Sequence, residues 1–260
     1  QLYEQGIAYE ADIDRKDGSI DTDTIKQEDS YTKLTKVRKD NLGSNNKPAR
    51  KTTIAGGTID LNGHVLDLNG YDVTVNGDLK IIDSSKEKTG ALNSTGETPY
   101  FDFNNKLVLD GIKSNNVDFY ENKTNQSEIE VYNSEVYYIH RIGKRLKSAI
   151  IKDTKTDKLY IDGRGLADSS ITMENVEIED TSTVVRLYAQ KVNMKNVVSG
   201  TMQLSASNGI VDNAKITSTS AASFAALQSI YYRNSITSNV TIKGGEFVGG
   251  SYAIDVQEGP

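Results

Sequence analysis

The chain has 260 residues, a hydrophobic share of 36% and a formal net charge of −6 at pH 7. That charge, with an isoelectric point near 5.1, excludes general nucleic-acid binding, which needs a cationic footprint. No apolar run reaches the ~18 residues of a membrane-spanning helix, and the absence of cysteine excludes disulfides and thiolate metal sites.

Residues 1–50 are rich in charge and close on Gly43-Ser44-Asn45-Asn46-Lys47-Pro48, a loop signature. They are expected to be an N-terminal cap or a linker from a preceding domain, ahead of one repetitive domain over residues 51–260. Within them, Ala11-Asp12-Ile13-Asp14-Arg15-Lys16-Asp17-Gly18 approaches a calcium loop, but Lys16 stands where an oxygen ligand is required. No metal or other cofactor is assigned.

The segment from Thr58 to Asp83 carries the strongest signal. Asn-Gly recurs at 62–63, 69–70 and 76–77. Between the pairs lie short runs of alternating apolar residues, Val65-Leu66-Asp67-Leu68, Val73-Thr74-Val75 and Leu79-Lys80-Ile81-Ile82. Asn and Gly tolerate positive φ, so each pair marks a sharp turn in an extended chain. Three such units of 7 make a lap of 21 residues, the pitch of a parallel β-solenoid. The rival reading is an antiparallel meander, for which Asn-Gly is also a signal.

Downstream periodicity separates the two. Corners of related type recur at Asp110-Gly111, Asn133, Asp153, Asn175, Asn196, Asn213 and Gly244-Gly245, with steps of 23, 20, 22, 21, 17 and 31 residues. A meander has no reason to keep that interval, whereas a solenoid keeps it throughout. The expected fold is all-β, a single-stranded right-handed parallel β-helix with an N-terminal cap. Ser84–Thr98, Asn115–Asn125 and Ser218–Ala226 are polar or small-residue stretches, expected to be loops leaving the stack. A turn or two of helix is allowed over Ser220–Leu227. The final strand-like run, Tyr252-Ala253-Ile254-Asp255-Val256, suggests a piece of a longer, processed protein.

The string Leu61-Asn62-Gly63-His64-Val65-Leu66-Asp67-Leu68-Asn69-Gly70 resembles the opening lap of right-handed β-helix modules in large bacterial surface proteins and adhesins. Ile171-Thr172-Met173-Glu174-Asn175-Val176 and Val240-Thr241-Ile242-Lys243-Gly244-Gly245 are similar to laps of that pectate-lyase-like superfamily. The resemblance spans roughly residues 55–256 and is structural. It implies export and a carbohydrate-facing or adhesive role, and it transfers no catalytic residue.

A polygalacturonase-like site needs paired aspartates as acid and base, and no Asp-Asp pair occurs. Asp162 falls near Arg141 and Arg186 by lap counting, too loosely for a lyase site. Asp67 and Asp83 are read as corner-satisfying or solvated, His64 as a turn-edge residue, and His140 as stacking over Tyr160. Two histidines without cysteine argue against a zinc site.

Binding is the better-supported class. Tyr137, Tyr138 and Tyr188 lie in strand-like runs where outward rings would suit sugar faces. Arg141, Lys144, Arg145 and Arg186 fall near them by lap counting, giving a candidate site for an acidic glycan. The functional expectation is a non-catalytic, surface-displayed adhesion module, monomeric, engaging a polysaccharide or a host or neighbour cell-surface ligand. The alternatives are a polysaccharide lyase or hydrolase of the β-helix superfamily, and a structural spacer in a larger surface protein.

Overall fold

The structure is a computed structural model that describes residues 31–34, 39–41, 51–121, 126–142, 145–218, 225–230, 236 and 238–257. Among these, every regular element is a β-strand, and the strands pair in parallel. The chain divides into two compact units, residues 1–120 with 133–137, and residues 121–132 with 138–260.

The first unit contains β1 (Tyr31–Leu34), β2 (Lys39–Asn41), β3 (Lys51–Ile54), β4 (Gly57–Asp60), β5 (Val65–Asp67) and β6 (Val73–Val75). It continues through β7 (Leu79–Ile82), β8 (Ala91–Asn93), β9 (Tyr100–Phe103), β10 (Lys106–Asp110), β11 (Lys113–Asn115) and β12 (Asp118–Glu121). Three parallel columns form: β1-β3-β6-β9, β2-β4-β7-β10 and β5-β8-β11. Each strand therefore pairs with one a lap away and not with its neighbour in sequence. That excludes the meander, whose consecutive strands would pair antiparallel.

The period-2 pattern of each short strand sends one side chain in and the next out. Ile54, Val75 and Phe103 stack in one column, and Ile59, Ile81 and Leu109 in the next, each at most 1% exposed. Burying each such side chain contributes roughly 1.5–3 kcal/mol, so a strand of three or four residues suffices when laps stack.

Two expected loops contain strands. Within Ser84–Thr98, β8 pairs with β5 and β11 and buries Leu92 completely. Within Asn115–Asn125, β12 places Phe119 at 0% exposure against Phe101, ring centroids 5.7 Å apart. In both, two or three apolar residues in lap register outweigh the polar composition around them. Of the 1–50 stretch, the described pieces β1 and β2 extend the first two columns. The calcium-like loop lies outside the described residues, as do residues 219–224 of the third expected loop.

The second unit holds β13 (Ser127–Tyr132), β14 (Glu135–Ile142) from Tyr138 onward, β15 (Leu146–Asp162), β16 (Ser170–Ile178), β17 (Val185–Ser199) and β18 (Met202–Asp212). Shorter strands follow: β19 (Ala214–Thr217), β20 (Leu227–Ser229), β21 (Val240–Ile242), β22 (Gly245–Val248) and β23 (Ile254–Val256). Here β15, β16 and β17 turn a corner without breaking, while Asn213 separates β18 from β19. The corner residues Asp153, Asn175, Asn196 and Asn213 have φ of 49°, 54°, 54° and 51°, the left-handed region that Asn and Asp enter at least cost.

Their side chains form a ladder. Asn175 Nδ2 donates to Asp153 Oδ1 at 2.7 Å, Asn196 to Asn175 at 2.8 Å and Asn213 to Asn196 at 2.8 Å, over separations of 22, 21 and 17 residues. In the first unit Asn133 donates likewise to Asp110, 23 residues earlier. These are steps read from the sequence, and Ala214 in register with Gly245 matches the last of them. The fold is thus a parallel β-solenoid whose polar corners carry the lap register.

Candidate functional site

Among the described residues of the first unit, Asp60, Asp67 and Asp83 are spent on corners. Asp83, 2% exposed, accepts from Gly63 N at 2.8 Å, Ser85 N at 3.0 Å, Ser85 Oγ at 2.9 Å and Gly90 N at 2.6 Å. Burial pushes its pKa up, but the hydrogen bonds from Gly90, Ser85 and Gly63 outweigh that and hold it below the usual carboxylate value. Asp67 accepts from Asn69 N, Thr95 N and Thr95 Oγ1. Asp60 accepts from Asn62 N and Ser84 N. The corner role expected of Asp67 and Asp83 is what the structure gives them. A carboxylate closed by backbone donors on successive laps is not placed to exchange protons with a substrate. His64 lies at the turn edge, its N–H donating to Leu61 O at 2.9 Å.

The second unit carries a different surface. In the column formed by β14, the end of β15, the start of β17, β18, β20 and β23, Leu159, Ile161, Val185, Leu187, Met202 and Leu204 point into the core. The alternate positions lie on the other side of the sheet, where Tyr160, Arg186 and Gln203 are half-buried and Asp162, Tyr188, Ser205 and Gln228 are covered. Tyr160 is in register with Arg186, Arg186 with Gln203, and Gln203 with Gln228. Two residues along the strands, Asp162 pairs with Tyr188 and Tyr188 with Ser205.

Aromatic and polar groups connect along this stripe. Tyr138 stacks on His140 with centroids 4.3 Å apart and an interplanar angle of 11°. His140 is a neighbour of Tyr160, as lap counting placed it, but at 6.4 Å and 42° it is tilted and not stacked on that ring, and Tyr160 lies 6.0 Å from Tyr188 at 79°. The Arg186 guanidinium sits 5.5 Å from the Tyr160 ring centre, and that of Arg164 4.9 Å from Tyr188, both within cation–π range. Gln203 Oε1 accepts from Tyr188 OH at 3.0 Å and from Arg186 Nε at 3.2 Å, while its Nε2 donates to Gln228 Oε1 at 2.9 Å.

Charge on this face is unevenly neutralised. Arg164 Nε donates to Asp162 at 2.8 Å, and Lys158 lies 3.7 Å from Asp180. Elsewhere on the unit, Lys147, Lys152 and Lys155 meet Glu128, Glu174 and Glu177 at 3.0, 3.2 and 2.9 Å. Arg186 is half-buried and forms no ion pair among the described residues. Its known partners are a neutral amide and a ring, which leaves a planar, fork-shaped cation able to take a carboxylate in two parallel hydrogen bonds.

Of the residues singled out from sequence, Tyr138, Arg186 and Tyr188 fall on this one face. Tyr137 belongs to the first unit. Tyr188 is 1% exposed, covered by the Arg164 side chain and not open to solvent. Arg145 is exposed in the turn before β15, its carbonyl accepting from Ser127 N. Lys144 and the side chain of Arg141 lie outside the described residues. Asp162 turns to Arg164 within its own turn. Sequence reading passed over Lys158, two residues before Tyr160 on the same strand, Arg164 in the turn that follows it, and Gln203 and Gln228, which stand one and two laps on from Arg186. Among the described residues no three His, Asp or Glu side chains converge as a metal site.

Fold and face together define a parallel β-solenoid bearing an outward stripe of tyrosine, glutamine and arginine on its second unit. Comparisons with protein-family models, with curated proteins and with solved structures give no match to this chain.

Proposed function

We propose that the protein is a non-catalytic, cell-surface binding module of pectate-lyase-like descent, exported, and that it recognises acidic polysaccharide through the tyrosine–arginine face of its second unit. The observation that carries this reading is Arg186, a half-buried cation without an ion-pair partner among the described residues, seated on Tyr160 and bonded to Gln203. A sugar ring stacks on an aromatic face, its hydroxyls match the half-buried amide of Gln203, and its carboxylate matches the guanidinium. Enzymatic turnover has no comparable support, since the carboxylates described above are occupied by backbone donors or by cations.

The test is binding of the whole chain to neutral and acidic polysaccharides at low and moderate salt, by calorimetry or array. Acidic polymers are expected to bind and to weaken as salt rises. Arg186→Ala should reduce affinity about tenfold or more, because a charge-assisted hydrogen bond contributes roughly 1.5–3 kcal/mol. Tyr160→Ala should weaken neutral and acidic ligands alike. Binding that is unaffected by both substitutions would sink this face as the site, and no binding to any polysaccharide would favour the spacer.

A further inference from the structure

The chain contains the dipeptide Asn-Gly at 62–63, 69–70, 76–77 and 208–209. In a peptide, each is prone to the same spontaneous reaction. The glycine nitrogen, having lost its proton to base, attacks the Asn side-chain carbonyl carbon. A C–N bond forms to close a succinimide, and the Cγ–Nδ2 bond breaks with release of ammonia. Water then opens the ring at either carbonyl to leave aspartate or isoaspartate. The glycine N–H must be available, and the amide carbonyl must be able to accept negative charge as the nitrogen adds.

The structure treats the four steps unequally. Gly63 N–H donates to Asp83 Oδ1 at 2.8 Å, Gly70 N–H to Ser94 Oγ at 2.9 Å and Gly209 N–H to Asn239 O at 2.8 Å. Losing such a proton breaks a hydrogen bond, and beside the Asp83 carboxylate it also places one negative charge against another. Asn62 and Asn69 are moreover held in the left-handed region by their corners, at φ 48° and 54°.

Asn76–Gly77 differs in each respect. Neither residue is among those with positive φ, so this third pair is not a copy of the first two. Asn76 is exposed, and the Gly77 N–H has no hydrogen-bond partner among the described residues. Asn104 Nδ2 donates to Asn76 Oδ1 at 3.0 Å, aimed at the oxygen on which charge develops during attack. Packing also requires the glycine, since a Cβ at Gly77 would lie 1.9 Å from Ala55 O. We infer that Asn76 is the site of spontaneous deamidation and isoaspartate formation in the folded protein, with the other three Asn-Gly steps protected by the acceptors that hold their glycine N–H groups. An isoaspartate there inserts a backbone carbon between β6 and β7, where the chain passes closest to Ala55.

The experiment incubates the whole chain at mildly alkaline pH, folded and in parallel in concentrated urea, with peptide mapping over time. A protease that cuts before aspartate separates the three sites, because Asp60, Asp67, Asp72 and Asp78 flank Asn62, Asn69 and Asn76. Conversion is read as the mass gain from amide to acid and as an isoaspartate-specific methylation signal. In the folded chain, Asn76 is expected to convert about tenfold faster than the others, the order of effect of one intact hydrogen bond. In urea the four should converge. Ser94→Ala, which removes the acceptor from Gly70, should raise the Asn69 rate while leaving Asn62 and Asn208 slow; a rise at all three would instead report unfolding. Equal folded-state rates at Asn76 and Asn62, an order that persists in urea, or an Asn69 rate unmoved in folded Ser94→Ala would each overturn the inference.

Discussion

Replacing Asp83 by alanine removes the acceptor of four hydrogen bonds at once. Gly90 N–H is left fully buried without a partner, while the Gly63 and Ser85 donors are part-buried and can recover water. An unsatisfied buried donor costs about 1–3 kcal/mol, and the part-buried ones less, so Asp83→Ala should destabilise the first unit by roughly 3–5 kcal/mol. Asp83→Asn keeps the shape but turns an NH2 toward one set of donors, and should cost about 1–3 kcal/mol.

The effect has a pH signature. Because the folded carboxyl is held below its usual value, its contribution is complete above the unfolded pKa of about 3.9 and is lost as pH falls through the lower folded value. The stability difference between wild type and Asp83→Ala should therefore be flat at neutral pH and shrink in acid. Urea unfolding followed by circular dichroism gives the size. Hydrogen exchange at the Gly63 and Gly90 amides assigns it to this corner, which matters because a chain of two compact units need not unfold in one step. A cost below about 1 kcal/mol, or a difference that stays constant from neutral pH into strong acid, would refute the account.

Two further outcomes test the second unit. Asn175→Ala leaves at φ 54° a residue without the polar side chain by which Asn tolerates the left-handed region, and cuts two ladder bonds, so it should cost about 1–2 kcal/mol, more than Asn175→Gly; equal costs in urea titrations would remove the left-handed corner from the argument. Burial alone would raise the Asp180 pKa, but the Ser182 and Thr183 hydroxyls, the Ser182 N–H and Lys158 pull it to about 2. Its stabilisation is present above the unfolded pKa and lost as pH falls through about 2, and a carboxyl NMR titration midpoint near the ordinary aspartate value would contradict this.

The sequence by itself determined the lap. Corner residues were legible because a left-handed turn accepts few side chains, so Asn133, Asp153, Asn175, Asn196 and Asn213 declare themselves by type and spacing. The buried strands were legible where several apolar residues alternate, and missed at β8 and β12, where two or three suffice once neighbours above and below supply the rest of the core. The face was only partly legible. Period 2 places Tyr138, Arg186 and Tyr188 on strands, but laps of unequal length, 26 residues from Tyr160 to Arg186 and 17 from Arg186 to Gln203, shift what lies beside them. Tertiary structure alone decided that Asp162 is taken by Arg164, that Tyr188 is covered, and that Arg186 rests between a ring and an amide. The physical reason is that chain-local rules fix φ and in–out alternation, whereas hydrogen bonding and charge neutralisation across laps depend on register, which only the stacked core sets.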